Sequence, residues 1–153
     1  MGEYFFMSMR MNKSDAADFG LIPYEENKAI NPKDNSIWEK KALYDFGWGS
    51  ENGFYRMPLP DFETLFELVL QSTNRDDRYG SAAIILERFP NELLQKCELI
   101  ANDHFRKKDF KKLTEIFRLK EPINRSPVLK KTFEEIRNDY IRWKNLSETA
   151  KKL

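Results

Sequence analysis

One histidine, His104, and one cysteine, Cys97, are all that this 153-residue chain offers for imidazole or thiol chemistry. A general base needs a positioned partner. Asp103 precedes His104, but adjacent helical residues do not face one another, so His104 reads as a surface residue at a helix end. Cys97 lies on the apolar stripe Leu93-Leu94-Cys97-Ile100, where a cysteine acts as a small hydrophobe. One His and one Cys do not build a zinc site, and no carboxylate run matches a calcium loop. No catalytic residue, metal or cofactor is expected. Gly47, Gly49 and Gly53 miss the dinucleotide-binding spacing, whose third glycine would fall at Asn52. They read as a turn or recognition loop carrying Trp48, with Glu51 and Phe54 beside it. Trp is favoured at binding hot spots; the competing reading folds Trp48 onto the core. Asp76, Asp77 and Arg78 form a charge cluster at a helix start, either complementing the helix dipole or presenting an edge to a partner. An enzyme using Glu51, Asp76 and Asp77 would need two of them fixed across a cleft, and nothing in the spacing does that.

Charge is sorted along the chain. Residues 1–103 hold 11 Lys/Arg against 18 Asp/Glu, a balance of −7, and residues 104–153 hold 15 against 7, a balance of +8. Such asymmetry points to electrostatic partnering. The basic third includes Lys107, Lys108, Lys111 and Lys112, with phenylalanines interleaved as in many nucleic-acid sites. Those phenylalanines fall largely at core spacing, however, and the pI near 7.8 is below that of a dedicated nucleic-acid domain. No run approaches the ~20 apolar residues of a membrane span. A lone cysteine fits a reducing, cytoplasmic setting, and richness in Lys, Asn and Ile points to an AT-rich bacterial or phage source.

The elements that must position these residues divide at about residue 60. Residues 1–60 read as irregular. Met7, Met9 and Met11 suggest a short strand, Pro23 to Pro32 reads as loop, and Asp34 or Ser36 caps a helix carrying Ile37, Trp38 and either Leu43 or Tyr44 inward. Asn52-Gly53 suggests the turn of a hairpin. From Asp61, helix follows helix: Phe62 to Val69, Asp76 to Phe89, a third opened by Pro90, a fourth capped by Asp109, and a fifth opened by Ser126-Pro127. Leu129, Phe133, Ile136, Tyr140 and Trp143 fall within about 40° of one line, predicting a continuous buried stripe. The tail from residue 146 should fray. The expected fold is one mainly α domain over 1–153, of five to six helices with short connections and a short strand or hairpin before residue 60.

The run Asp77-Arg78-Tyr79-Gly80-Ser81-Ala82-Ala83-Ile84-Ile85-Leu86 resembles the inner helix of a HEAT-type pair, with Phe89-Pro90 as the repeat boundary. Small bacterial proteins that join an irregular N-terminal region to HEAT-like helices are similar to immunity proteins of polymorphic toxin systems. The resemblance implies a HEAT-like array and a non-enzymatic role, binding and neutralising a cognate toxin. Its acidic first two-thirds would meet a basic toxin domain, with Trp48, Glu51, Phe54, Asp76, Asp77 and Arg78 at the interface. The alternative is a nucleic-acid accessory protein using Lys107, Lys108, Lys111 and Lys112. No membrane partner is expected.

Overall fold

The computed structural model describes residues 2–7, 16–47 and 49–153. The expected mainly α, HEAT-like array is overturned, and with it the all-α reading. The fold is α+β: five α-helices follow a five-stranded antiparallel sheet. The strands are β1 (Phe5–Met7), β2 (Ile22–Glu25), β3 (Lys28–Ile30), β4 (Ile37–Asp45) and β5 (Ser50–Met57), in the order β1-β5-β4-β3-β2. The chain divides into two compact units, Met1–Ile84 and Ile85–Leu153.

In the first unit the sheet arises where helix and loop were expected. The stretch Pro23 to Pro32, read as loop, is the hairpin β2–β3, turning at Glu26-Asn27 with Asn27 at φ 61°. Asn tolerates that left-handed conformation. The segment after Ser36, read as a helix, is β4. A register shift between Ala42 and Asp45 lets Trp38, Leu43 and Tyr44 all be buried. That bulge breaks the two-residue alternation, so the spacing mimics a helix. The β4–β5 hairpin does form, but its turn lies at Phe46–Gly49, not at Asn52-Gly53. Gly47 and Gly49 have φ 108° and 107°, and both donate their backbone N–H to Asp45 Oδ1, at 2.7 and 3.1 Å. Gly53 sits inside β5, opposite Met7, where an added Cβ would lie 2.2 Å from the Phe6 carbonyl oxygen. Of the expected methionine strand only Met7 falls in β1; Met9 and Met11 lie outside the described residues.

One face of the sheet holds an aromatic core. Phe6 stacks on Trp38 at 4.2 Å between ring centroids, with Phe54, Ala29 and Leu21 buried in the same cluster. Helix α1 (Phe62–Gln71) starts where expected: Asp61 Oδ1 accepts the Thr64 N–H, and this holds the Asp61 carboxyl below its ordinary range. It buries Leu65, Phe66, Val69 and Leu70. Helix α2 (Arg75–Arg88) spans the boundary between the units. In its first half Tyr79 packs on Tyr44 and Phe46 at 4.8 and 4.9 Å, and Arg75 lies 4.4 Å over the Phe46 ring.

The second unit packs α3 (Pro90–Ala101), α4 (Lys107–Phe117) and α5 (Phe133–Lys151) against one another. Pro90 opens α3 as expected, and Leu93, Leu94, Cys97 and Ile100 are buried. Helix α4 begins two residues before Asp109, which pairs with Arg106 at 3.0 Å. Helix α5 begins at Phe133, not at Ser126. Thr132 and Glu135 form a reciprocal capping box, which satisfies two backbone donors, while Ser126 Oγ accepts the buried Trp143 indole N–H at 2.9 Å.

Gly80 of α2 meets β1 so closely that an added Cβ would lie 2.3 Å from the Phe5 ring. Gly80→Ala should therefore destabilise the chain by about 1–3 kcal/mol, as overpacking does, even though alanine is the better helix former. A urea melt checks this; a gain in stability contradicts the packing.

Candidate partner-binding surfaces

Three of the sequence-predicted interface residues, Asp76, Asp77 and Phe54, are structural. Asp77 is 4 % exposed. Its Oδ2 accepts the Glu3 N–H at 2.9 Å, and its Oδ1 accepts those of Tyr4 and Phe5 at 2.9 and 3.1 Å. Asp76, also buried, accepts the Met7 N–H at 3.3 Å. The amides of Phe5 and Met7 are those that edge strand β1 turns away from β5, so α2 covers a sheet edge with two carboxylates. Arg78 donates to the Ser72 carbonyl at 2.6 Å, and its Nε is buried without a partner. Phe54 belongs to the core cluster. Trp48 lies outside the described residues, as does the Glu51 side chain. The six residues therefore do not form one exposed interface among what is described. Asp77 alone touches an open groove of about 430 Å³, beside Glu3, Tyr4, Thr64, Glu67 and Gln71. Because the Asp77 oxygens are occupied, Glu3 and Glu67 are the carboxylates this groove offers to a cation.

The basic residues separate as well. Lys107, Lys108 and Lys111 line one cleft with Lys120, whereas Lys112 does not. Arg125 is diverted from the surface: its guanidinium lies 5.0 Å over the Trp143 ring and donates to the carbonyls of Phe117, Arg118, Glu121 and Ile123. Burial pulls its pKa below the ordinary arginine value.

Sequence reasoning placed Phe105 and Phe133 at core spacing, yet Phe105 is the most exposed large apolar side chain among the described residues, and a further open apolar stretch lies at the start of α5. Of the predicted stripe Leu129, Phe133, Ile136, Tyr140 and Trp143, only Trp143 is buried; burial continues at Leu146, Ser147 and Ala150, in the tail expected to fray, which is helical to Lys151. Leu129 is 84 % exposed and Phe133 83 %, with Val128 and Tyr140 also exposed. Val128, Leu129 and Phe133 lie within six residues of one another in the chain, and exposed apolar side chains make this segment a candidate interaction surface. The segment that carries them is tied down. Lys131 Nζ reaches Asp139 at 2.5 Å, Ser147 Oγ donates to the Lys120 carbonyl at 2.6 Å, and Arg142 of α5 pairs with Glu98 of α3. The only signal in the sequence was the Thr132-to-Glu135 capping box, which starts the helix six residues later than Ser126-Pro127 suggests.

Among the described residues, no helix is long and apolar enough to cross a membrane, and no three His, Cys, Asp or Glu side chains are grouped to hold a metal ion. His104 is exposed, as its position after α3 suggested. Comparison with protein-family models, with curated proteins and with solved structures finds no match.

Asp77→Ala should cost about 2–4 kcal/mol, because three amides lose their acceptor. Asp77→Asn, which keeps one carbonyl oxygen, should cost less. Denaturant melts of both variants decide; equal and small losses would remove Asp77 from this role. Burial pushes the Cys97 thiol up to about 12. Native protein at pH 8 should therefore resist a disulfide-exchange reagent and react only when unfolded. Rapid stoichiometric labelling of folded protein contradicts this.

Proposed function

We propose that this chain is a non-enzymatic protein-binding module, and that it serves as an immunity protein which docks on and neutralises a toxin domain. The observation that carries the reading is the pair Leu129 and Phe133, each more than four-fifths exposed on an anchored segment. Exposed apolar side chains of this size gain roughly 1.5–3 kcal/mol each when a partner's pocket removes them from water. Helix α5 offers Phe133 and Tyr140 two turns apart, a spacing suited to a hydrophobic groove on a partner.

Charge supports a basic partner. The first unit, residues 1–84, carries 9 Lys/Arg against 14 Asp/Glu, a balance of −5. Its groove presents Glu3 and Glu67. Acids so placed speed encounter with a basic domain more than they tighten the final complex. Their contribution to association should fall as salt rises.

The experiment compares wild type with Leu129→Asp/Phe133→Asp in the native host, by cross-linking and by co-expression with the captured partner. The expected partner has a basic domain that arrests growth when expressed alone. Wild type relieves the arrest, and the double variant, still folded by circular dichroism, binds at least tenfold more weakly and does not. An unchanged set of captured proteins in the variant, or a partner without toxicity, overturns the reading.

A further inference from the structure

Independently of protein docking, we propose that the lysine cleft beside α4 is a binding site for a small, soluble phosphoanion carrying two or more phosphate groups. Its lining includes Lys107, Lys108, Lys111, Thr114, Glu115 and Lys120, around a volume of about 340 Å³. That volume lies within the range of small-molecule sites.

Two independent features of the cleft call for an anion. The first is uncompensated positive charge. Lys107 and Lys111 stand four residues apart, and Lys108 and Lys111 three apart, spacings at which like charges on a helix repel. Lys107 and Lys108 also occupy the first turn of α4, where the helix dipole disfavours cations. The one acidic residue of that turn, Asp109, is engaged by Arg106 at 3.0 Å. None of Lys107, Lys108, Lys111 and Lys120 forms an ion pair among the described residues. Glu115 is the single acidic side chain in the lining, which Leu153 completes, so four lysines face one side-chain carboxylate.

The second feature is an orphaned hydroxyl. Thr114 is 5 % exposed, lines the cleft, and its Oγ1 has no hydrogen-bond partner. A buried hydroxyl left unpaired costs stability. It follows Lys107 by seven residues and Lys111 by three, so the three share one face of α4. The Thr114 Oγ1 is buried beneath the cleft surface; a turn of the Thr114 side chain about χ1 would bring the O–H to a phosphate oxygen held by the lysines and satisfy it. Lysine acts here as a mobile point charge, suited to phosphate without the fixed fork of arginine. A carboxylate ligand would neutralise fewer of the four ammonium groups, which is why a polyphosphate is the better fit.

Calorimetry with inorganic tripolyphosphate on the full chain tests the site. Saturable binding of one anion per chain is expected, weakening with salt. Lys108→Gln/Lys111→Gln should lower affinity at least tenfold and reduce the salt slope by about two. Thr114→Val should weaken binding about tenfold at an unchanged salt slope. It should also raise, or leave unchanged, the melting temperature of the free protein, because it deletes an unsatisfied group. That readout separates a ligand contact from a packing role. No saturable binding at millimolar tripolyphosphate overturns the proposal, as does wild-type affinity in Thr114→Val. Binding only to vesicles of anionic phospholipid, or only to RNA oligonucleotides, also overturns it, since each assigns the lysines to a different surface chemistry.

Discussion

Two carboxylates at the head of α2 close the exposed edge of the sheet. Strand β1 pairs with β5 on one side only, and its outward amides would otherwise stand open to another chain. Asp77 and Asp76 take those amides, and Asp77 takes two more from the residues leading into β1. The close approach that this demands is visible in the glycines around it. A Cβ on Gly2 would lie 2.1 Å from Asp77 Oδ1, and one on Gly80 would strike the Phe5 ring. The same acids sit where the helix dipole favours negative charge. One pair of side chains therefore starts a helix, finishes a sheet and holds the beginning of the chain in place. Acidic residues that read as an interface are consumed by the fold itself.

What remains at the surface is where local rules are broken. Local conflicts of this kind concentrate at functional sites. Leu129 and Phe133 leave apolar surface in water, and α4 gathers lysines at the dipole end that opposes them. The two compact units also differ in electrical character. Residues 1–84 carry a balance of −5, and residues 85–153, with 17 Lys/Arg against 11 Asp/Glu, a balance of +6. The sorting of charge does not coincide with the structural division, because residues 85–103, with 2 Lys/Arg against 4 Asp/Glu, belong to the second unit.

The helices from Asp61 to Phe117 were legible because their apolar residues repeat at 3.6 and their boundaries carry Asp61, Pro90 and the break after Gln71. The sheet was hidden for identifiable reasons. Strands β1 and β3 are three residues long, too short to show alternation. The bulge in β4 places Trp38, Leu43 and Tyr44 at spacings that imitate a helix, and β2 carries Pro23. At the candidate sites, the stripe from Leu129 to Trp143 has a helical period, but Leu129 lies in the turn before α5 and only Trp143 is buried; periodicity says nothing about neighbours. The four lysines were visible as a group. Which of them share a cleft, and that Thr114 lies unpaired among them, depended on how α4 is turned and where Lys120 returns.

The Arg125 guanidinium, seated over Trp143 and donating to four carbonyls, bears on the energetics of recognition. It gathers the unsatisfied end of α4 and the following turn onto a single planar group, while Ser126 and Ser147 stitch the same stretch to α5. Immobilising a flexible loop at the moment of association subtracts from affinity. Here the fold itself ties down the stretch between α4 and α5, so a partner that docked on Leu129 and Phe133 would have less chain to immobilise.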